Sequence, residues 1–74
     1  MQNEVIIVTG WSLLTEEGWK ISLFLGDARK IENMSAKDTA AQLAEYGVEY
    51  TSNDLMYAGI IKHVAEAIVA LSKE

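Results

Sequence analysis

The apolar residues of this 74-residue chain change their spacing part-way along. Up to Leu25 they tend to recur at every second position, which is the period of a half-buried strand. From Ser35 onward they recur every three to four positions, which is the period of an amphipathic helix. Each pattern leaves one apolar face that has to be covered. The sequence therefore predicts an α+β fold, in which a small antiparallel β-meander of two or three strands is followed by two α-helices packed on one face.

The same patterns divide the chain into elements of one small domain, residues 1–74. A chain of this length forms a single domain. Runs of β-branched and aromatic residues mark the strands, and clusters of turn residues separate them. We predict strands at about 4–14, 19–25 and 28–33, and helices at about 36–46 and 53–72. The third strand is short and charged, which suits the edge of a sheet.

The first two strands are predicted to form a hairpin whose register follows from its apolar face. With Glu16-Glu17-Gly18 as a three-residue loop, Leu13 lies opposite Ile21 and Trp11 lies opposite Leu23. One face of the hairpin is then apolar and is predicted to be buried. Its residues are Val5, Ile7, Trp11, Leu13, Trp19, Ile21, Leu23 and Leu25.

Turn and capping residues mark the other boundaries. Gly26-Asp27 is predicted to form a two-residue turn into the third strand. Ser35 is a preferred N-cap, and Gly47 is a typical C-terminal stop for the first helix. The second helix is predicted to be continuous, with an apolar arc wider than one small sheet needs. We expect the surplus to meet the first helix or a second subunit.

The composition limits how a domain of this size is stabilised. The chain has no cysteine and one histidine, so it lacks disulfides and the ligands of a tetrahedral zinc site. We expect no metal and no cofactor. So short a chain buries a thin core and usually needs another source of stability. A second copy, in a homodimer, or a larger target protein is the remaining source.

The charge of the chain disfavours direct nucleic-acid binding. There are 11 acidic and 6 basic residues, a net charge of −5, whereas a protein that binds the phosphate backbone needs a basic stripe. The acidic excess is concentrated in residues 31–61, which contain five acidic residues and one basic residue, Lys37. This segment either keeps the surface soluble or attracts a basic partner.

The motifs that resemble reactive sites are incomplete. Val8-Thr9-Gly10 follows an apolar run as in a dinucleotide-binding turn, but the later glycines are missing. His63 lacks the second and third groups that a catalytic site needs. Residues 39–59 have the outline of a helix-turn-helix, but the would-be recognition helix carries no arginine. We therefore expect neither an enzyme nor a DNA-reading protein.

Two surfaces are candidates for partner binding. The first is an acidic segment with two tyrosines at the turn between the helices, which suits protein recognition because tyrosine is rigid and amphipathic. Its residues are Glu45, Tyr46, Glu49, Tyr50 and Asp54. The alternative is that both tyrosines cover the edge of the core.

The second candidate surface is apolar. The reverse face of the predicted hairpin carries Ile6, Val8 and Phe24, with Leu14 nearer the tip. A contiguous exposed apolar cluster indicates an interface, although the second helix or a loop covering it is an equally good interpretation.

These features predict a non-catalytic protein-binding module that inhibits or regulates a basic partner, which itself handles nucleic acid. By analogy, small acidic proteins of phage and other mobile elements act in this way. The alternative is a self-associating structural or scaffold protein. The N-terminal residues lack the basic start of a secretory signal, and the last helix is interrupted by charges. We therefore expect a cytoplasmic protein with no membrane span.

Overall fold

The computed structural model describes residues 6–73, which form a β-meander followed by three helices. The strands are β1 (Ile7–Thr15), β2 (Gly18–Leu25) and β3 (Lys30–Met34), and they pair antiparallel in the order β1-β2-β3. The helices are α1 (Ala36–Tyr46), α2 (Ser52–Ala58) and α3 (Lys62–Ser72). The predicted α+β class is thereby confirmed. The first residues of the first predicted strand, including Val5, lie outside the described residues.

A continuous apolar cluster lies between the sheet and the helices. The central strand β2 contributes alternate side chains, as expected for a strand with one covered face. Helices α1 and α3 pack against each other, while α2 lies against β1. Burying these side chains is the main source of folding free energy. The cluster contains Ile21, Leu23, Leu25, Ile31, Ala40, Leu43, Val48, Leu55, Ile60, Val64, Ala65 and Ile68.

The register of the hairpin differs from the predicted one by one residue. Only Glu16 and Glu17 form the loop, so Ser12, not Leu13, lies opposite Ile21. A shift of one residue moves every side chain of a strand to the other face. Trp11 and Leu13 were predicted to be buried, and this was wrong, since both face away from the core. Leu14, predicted on the reverse face, was also placed wrongly: it lies opposite Trp19, on the core side of the hairpin, but near the tip, where it is 63% exposed.

The close approach of α2 to β1 explains this register. A Cβ atom on Gly59, at the end of α2, would collide with the carbonyl oxygen of Gly10 in β1. The hydroxyl of Thr9 donates a hydrogen bond to the carbonyl oxygen of Ala58 at 3.4 Å. Glycine inside a strand often marks a place where another backbone comes near. The inner face of β1 therefore needs small residues where α2 packs. The large side chains of Trp11 and Leu13 consequently lie on the outer face.

The connection between β2 and β3 has four residues, 26–29, where a two-residue turn was predicted. The amide of Leu25 donates to the carbonyl oxygen of Arg29 at 2.9 Å, which closes the loop, and Ala28 adopts a positive φ of 77°. Desolvation acts to raise the pKa of the Asp27 carboxyl, but hydrogen bonds from the backbone and side chain of Arg29 outweigh it and lower this pKa. The aspartate thus fixes the loop that begins the third strand.

Helix α1 begins and ends where the sequence predicts. The Ser35 hydroxyl accepts a hydrogen bond from the amide of Asp38 at 3.2 Å, and Gly47 follows the helix at a φ of 77°. The amide of Val48 donates back to the carbonyl oxygen of Leu43 at 3.0 Å, and both side chains are buried. This combination is a Schellman motif, which ends the helix and turns the chain into the core.

The predicted continuous helix over residues 53–72 was wrong, because the chain breaks after Ala58 into α2 and α3. Gly59 has a φ of 131°, and the amide of Ile60 donates to the carbonyl oxygen of Leu55 at 3.0 Å. This is a second Schellman motif, with Ile60 buried as Val48 is. No helix between Ile6 and Lys73 is long and apolar enough to cross a membrane.

Candidate functional site

The predicted acidic segment lies on the connection between α1 and α2. Glu45 is in the last turn of α1, Glu49 is in the connection, and Asp54 is in the first turn of α2. All three side chains are exposed. Within residues 6–73 no lysine, arginine or histidine forms an ion pair with any of them. Their charges are therefore available to a basic partner.

Two of these carboxylates also have local structural roles. Asp54 accepts a hydrogen bond from the amide of Thr51 at 2.9 Å, and the Thr51 hydroxyl accepts one from the amide of Asp54 at 3.3 Å. This capping box satisfies the free amides at the start of α2. Glu45 accepts a hydrogen bond from the side chain of Gln42 at 3.2 Å. Glu49 has neither role.

The two tyrosines of the segment pack at the edge of the core. Tyr46 is half-buried, and the guanidinium of Arg29 lies 4.3 Å from the centre of its ring. Tyr50 is half-buried against the same apolar cluster. Its hydroxyl is buried and has no hydrogen-bond partner among residues 6–73. Both rings thus pack at the edge of the core and stay partly exposed, while the carboxylates of the segment are fully on the surface.

A groove beside Tyr50 is too small for a typical ligand site. Its volume is about 270 Å³, below the roughly 300–1,000 Å³ of pockets that hold small molecules. Its lining residues are Ala40, Ala44, Val48, Glu49, Tyr50 and Ser72. One carboxylate, of Glu49, and two hydroxyls, of Tyr50 and Ser72, on otherwise apolar walls do not form a reaction centre.

A group of exposed apolar side chains lies on the outer face of the hairpin. Trp11 and Leu13 are 51% and 57% exposed, and they lie opposite Ser22 and Lys20 on β2. Phe24 takes the next outward position on β2, and its ring lies 5.4 Å from that of Trp11. The sequence placed Phe24 on this face, whereas it placed the other two in the core.

Two further apolar side chains extend this surface past a bulge in β1. The pairing shifts between Ile7 and Thr9, and Ile7 packs against the core. Its neighbours Ile6 and Val8 point the other way, at 62% and 53% exposed, and both approach Gly26. The structure thus groups the predicted Ile6, Val8 and Phe24 with two residues that were predicted to be buried. We refer to Ile6, Val8, Trp11, Leu13 and Phe24 as the outer patch.

The charged residues that border the outer patch are balanced. Lys20 forms an ion pair with Glu17 at 3.5 Å, and Lys30 forms one with Glu32 at the same distance. β1 itself carries no charged residue from Ile7 to Thr15. The five side chains of the outer patch are thus uncharged themselves, while the acidic excess of the chain is concentrated in residues 31–61.

His63 lies on the surface of α3 and not in a cleft. Its ring meets that of Trp19 edge to face, with 5.5 Å between the centres, and the side chain is exposed. This contact gives the imidazole a packing role. In the described part of the chain, no three His, Asp or Glu side chains come together in a way that could hold a metal ion.

Comparisons with protein-family models, curated proteins and solved structures found no match to this chain. The outer patch and the acidic segment are therefore the features from which a function can be inferred. Sequence reasoning missed Trp11 and Leu13 as surface residues. The small pair Gly10 and Ser12 lies on the opposite side of the same strand, but it identifies the covered side only once α2 is known to lie against Gly10.

Proposed function

We propose that this chain is a non-catalytic protein-binding module that inhibits or regulates its partner by covering part of the partner's surface. The observation that carries the proposal is the outer patch, where Trp11 and Leu13 remain more than half exposed although the core beneath is closed. Contiguous apolar surface costs free energy in water and marks interaction sites. Tryptophan is also among the residues most enriched at the centres of interfaces.

The acidic segment supports a basic partner as the target of this module. From α1 to the start of α3, residues 36–61 carry four acids against Lys37. Glu45 and Glu49 are exposed, with no ion pair among residues 6–73. Such a surface accelerates association with an oppositely charged protein, and it does so less as salt is added. A nucleic-acid-handling protein has the required basic surface, and an acidic module on it would hinder access of the nucleic acid.

Photocrosslinking in cells tests the proposal and captures the partner in the same step. A benzoyl-phenylalanine in place of Leu13 should form protein adducts in cells that make the chain, because this position lies in the outer patch. The same residue in place of Ala41, which is exposed on α1, is the matched control and should form few adducts. Equal yields at both positions, or none at position 13, would show that the outer patch contacts no protein.

The charge component is tested on the captured partner. The double variant Glu45→Lys/Glu49→Lys should slow association by about tenfold at low salt and weaken its salt dependence. Asp54 is left unchanged because it caps α2. Glu16→Lys, at the exposed hairpin tip, is the control for total charge. If the double variant associated as fast as the unaltered chain, the charge of the partner would play no part in binding. Only the apolar contact of the outer patch would then remain as the basis of the proposal.

A further inference from the structure

We propose that the groove beside Tyr50 holds the side chain of a lysine of the basic partner. The alkyl stem of this lysine lies on the apolar walls of the groove, and its ammonium meets the carboxylate of Glu49. The inference rests on the proposed function and deepens it, since it names the kind of residue that the acidic segment recognises.

The size and walls of the groove fit a single alkyl stem. Its volume of about 270 Å³ is below that of pockets for drug-sized ligands, and one side chain needs far less room than such a ligand. The apolar wall runs from Ala40 and Val48, which are buried, to Ala44, which is exposed. Lysine commonly lays its methylene groups along such a surface and keeps its charged head in water.

The accessible polar groups of the groove are hydrogen-bond acceptors. Glu49 is exposed, and its carboxylate forms no ion pair among residues 6–73. The Ser72 hydroxyl donates its one proton to the carbonyl oxygen of Val69 at 2.6 Å, so towards a ligand it accepts. The Tyr50 hydroxyl, which can donate or accept, is closed off from solvent. An ammonium has three donors and no acceptor, and it therefore complements this groove.

Two helix ends add to the negative potential of the groove. Ala44 is in the last turn of α1, and Ser72 ends α3. The C-terminus of a helix carries a partial negative charge, which a basic residue in the last turn can balance. Neither α1 nor α3 has such a residue. Lys73, which follows α3, is exposed and forms no ion pair with Glu49. The groove is thus open to a cation from another molecule.

Lysine suits this arrangement better than arginine. The two accepting groups belong to separate elements, the connection between α1 and α2 for Glu49 and the end of α3 for Ser72. The donors of an ammonium rotate freely, whereas a planar guanidinium favours a bidentate pair of acceptors or an aromatic face. An exposed ion pair adds little affinity. The contact therefore fixes where the basic surface of the partner docks more than it strengthens binding.

A disulfide tether tests whether the groove prefers an ammonium. The chain has no cysteine, so Ala44→Cys carries a single thiol at the groove. This thiol exchanges with cystamine, takes up one aminoethylthio group and releases cysteamine. The exchange constant, from intact mass at equilibrium, is compared with that for bis(2-hydroxyethyl) disulfide, which delivers a hydroxyl in place of the ammonium. The ratio of the two constants measures the preference for the cation.

The control position is Ala41, which is exposed on α1, does not line the groove and lies one turn from both Lys37 and Glu45. At low salt the ratio at position 44 should exceed that at position 41 by about threefold. Far-ultraviolet circular dichroism checks that both variants are folded. Equal ratios at the two positions would overturn the inference.

A second pair of variants separates Glu49 from the general acidity of the chain. In the Ala44→Cys chain, Glu49→Gln should lower the ratio to that found at position 41. Glu45→Gln removes the same charge from the same acidic segment and should lower it less. A ratio that Glu49→Gln leaves unchanged, or that both substitutions lower equally, would show that Glu49 holds no ammonium and would overturn the inference.

The outcomes distinguish this inference from the proposed function. Adducts at position 13 without an ammonium preference at position 44 would retain the protein-binding function and overturn the lysine contact. An ammonium preference at position 44 without adducts at position 13 would support the groove as the lysine site and overturn the outer patch as a protein contact.

Discussion

Single residues in this chain have roles that their chemical type does not reveal. Tyr46 and Tyr50 were predicted to recognise a partner, with cover for the core edge as the alternative. The structure places both rings against the core, and Arg29 stacks on one of them. The carboxylates beside them remain exposed. Tyrosine fits either role because it has an apolar ring and a polar tip, so the residue type alone could not decide.

The unpartnered hydroxyl of Tyr50 predicts that its removal stabilises the folded chain. A buried hydroxyl with no hydrogen bond destabilises the folded state by about 1–3 kcal/mol, and that of Tyr50 has no partner among residues 6–73. Tyr50→Phe removes the hydroxyl and keeps the ring. We expect the free energy of unfolding to rise by about 1 kcal/mol, measured by urea denaturation. A decrease of similar size would show that the hydroxyl is satisfied in solution.

At the scale of elements, the sequence predicted the strands and α1 well but missed the break between α2 and α3. Helix α1 was predicted correctly from Ser35 and Gly47, a side-chain cap and a glycine stop. The second stop, Gly59, has the same pattern: a leucine, three residues, a glycine and then a β-branched residue. It was overlooked because the apolar spacing continues across it from α2 into α3. If Gly59 had been treated as a helix stop in the same way as Gly47, two separate helices would have been predicted.

The hairpin register could not be obtained from the strands alone. Both sides of β1 carry large apolar residues, so alternation by itself does not say which side is buried. The decision comes from α2, whose end lies against Gly10. This is a contact between residues 49 positions apart, and local patterns do not contain it. The outer patch was missed in part for the same reason.

A comparison of the two glycine stops tests the contact between α2 and β1. Gly47 and Gly59 both have a positive φ, and a Cβ at Gly47 would meet no atom within 4 Å. Gly47→Ala therefore carries only the conformational cost, about 1 kcal/mol. Gly59→Ala adds both the collision with Gly10 and the greater strain of a φ of 131°, and should cost at least about 2 kcal/mol. Thermal or urea unfolding measures both variants, and equal losses would contradict the close approach.

At the scale of the whole molecule, apolar surface and charge lie in different places. The neutral outer patch is on the sheet, and the acidic segment is on the connection between two helices. Under the proposed function, the outer patch supplies the apolar contact with the partner and the acidic segment supplies the electrostatic attraction. The sequence predicted both kinds of surface, but their separation depends on the fold.

The central claim is that Leu13 and Trp11 lie outside the core and form an uncovered surface. Urea unfolding of Leu13→Glu below 1 µM, where we expect the chain to be monomeric, tests it most directly. The account predicts a free energy of unfolding within about 1 kcal/mol of the unaltered chain, whereas the core variant Leu23→Ala loses about 2–5 kcal/mol. A loss for Leu13→Glu as large as that of Leu23→Ala would place Leu13 in the core and contradict the account.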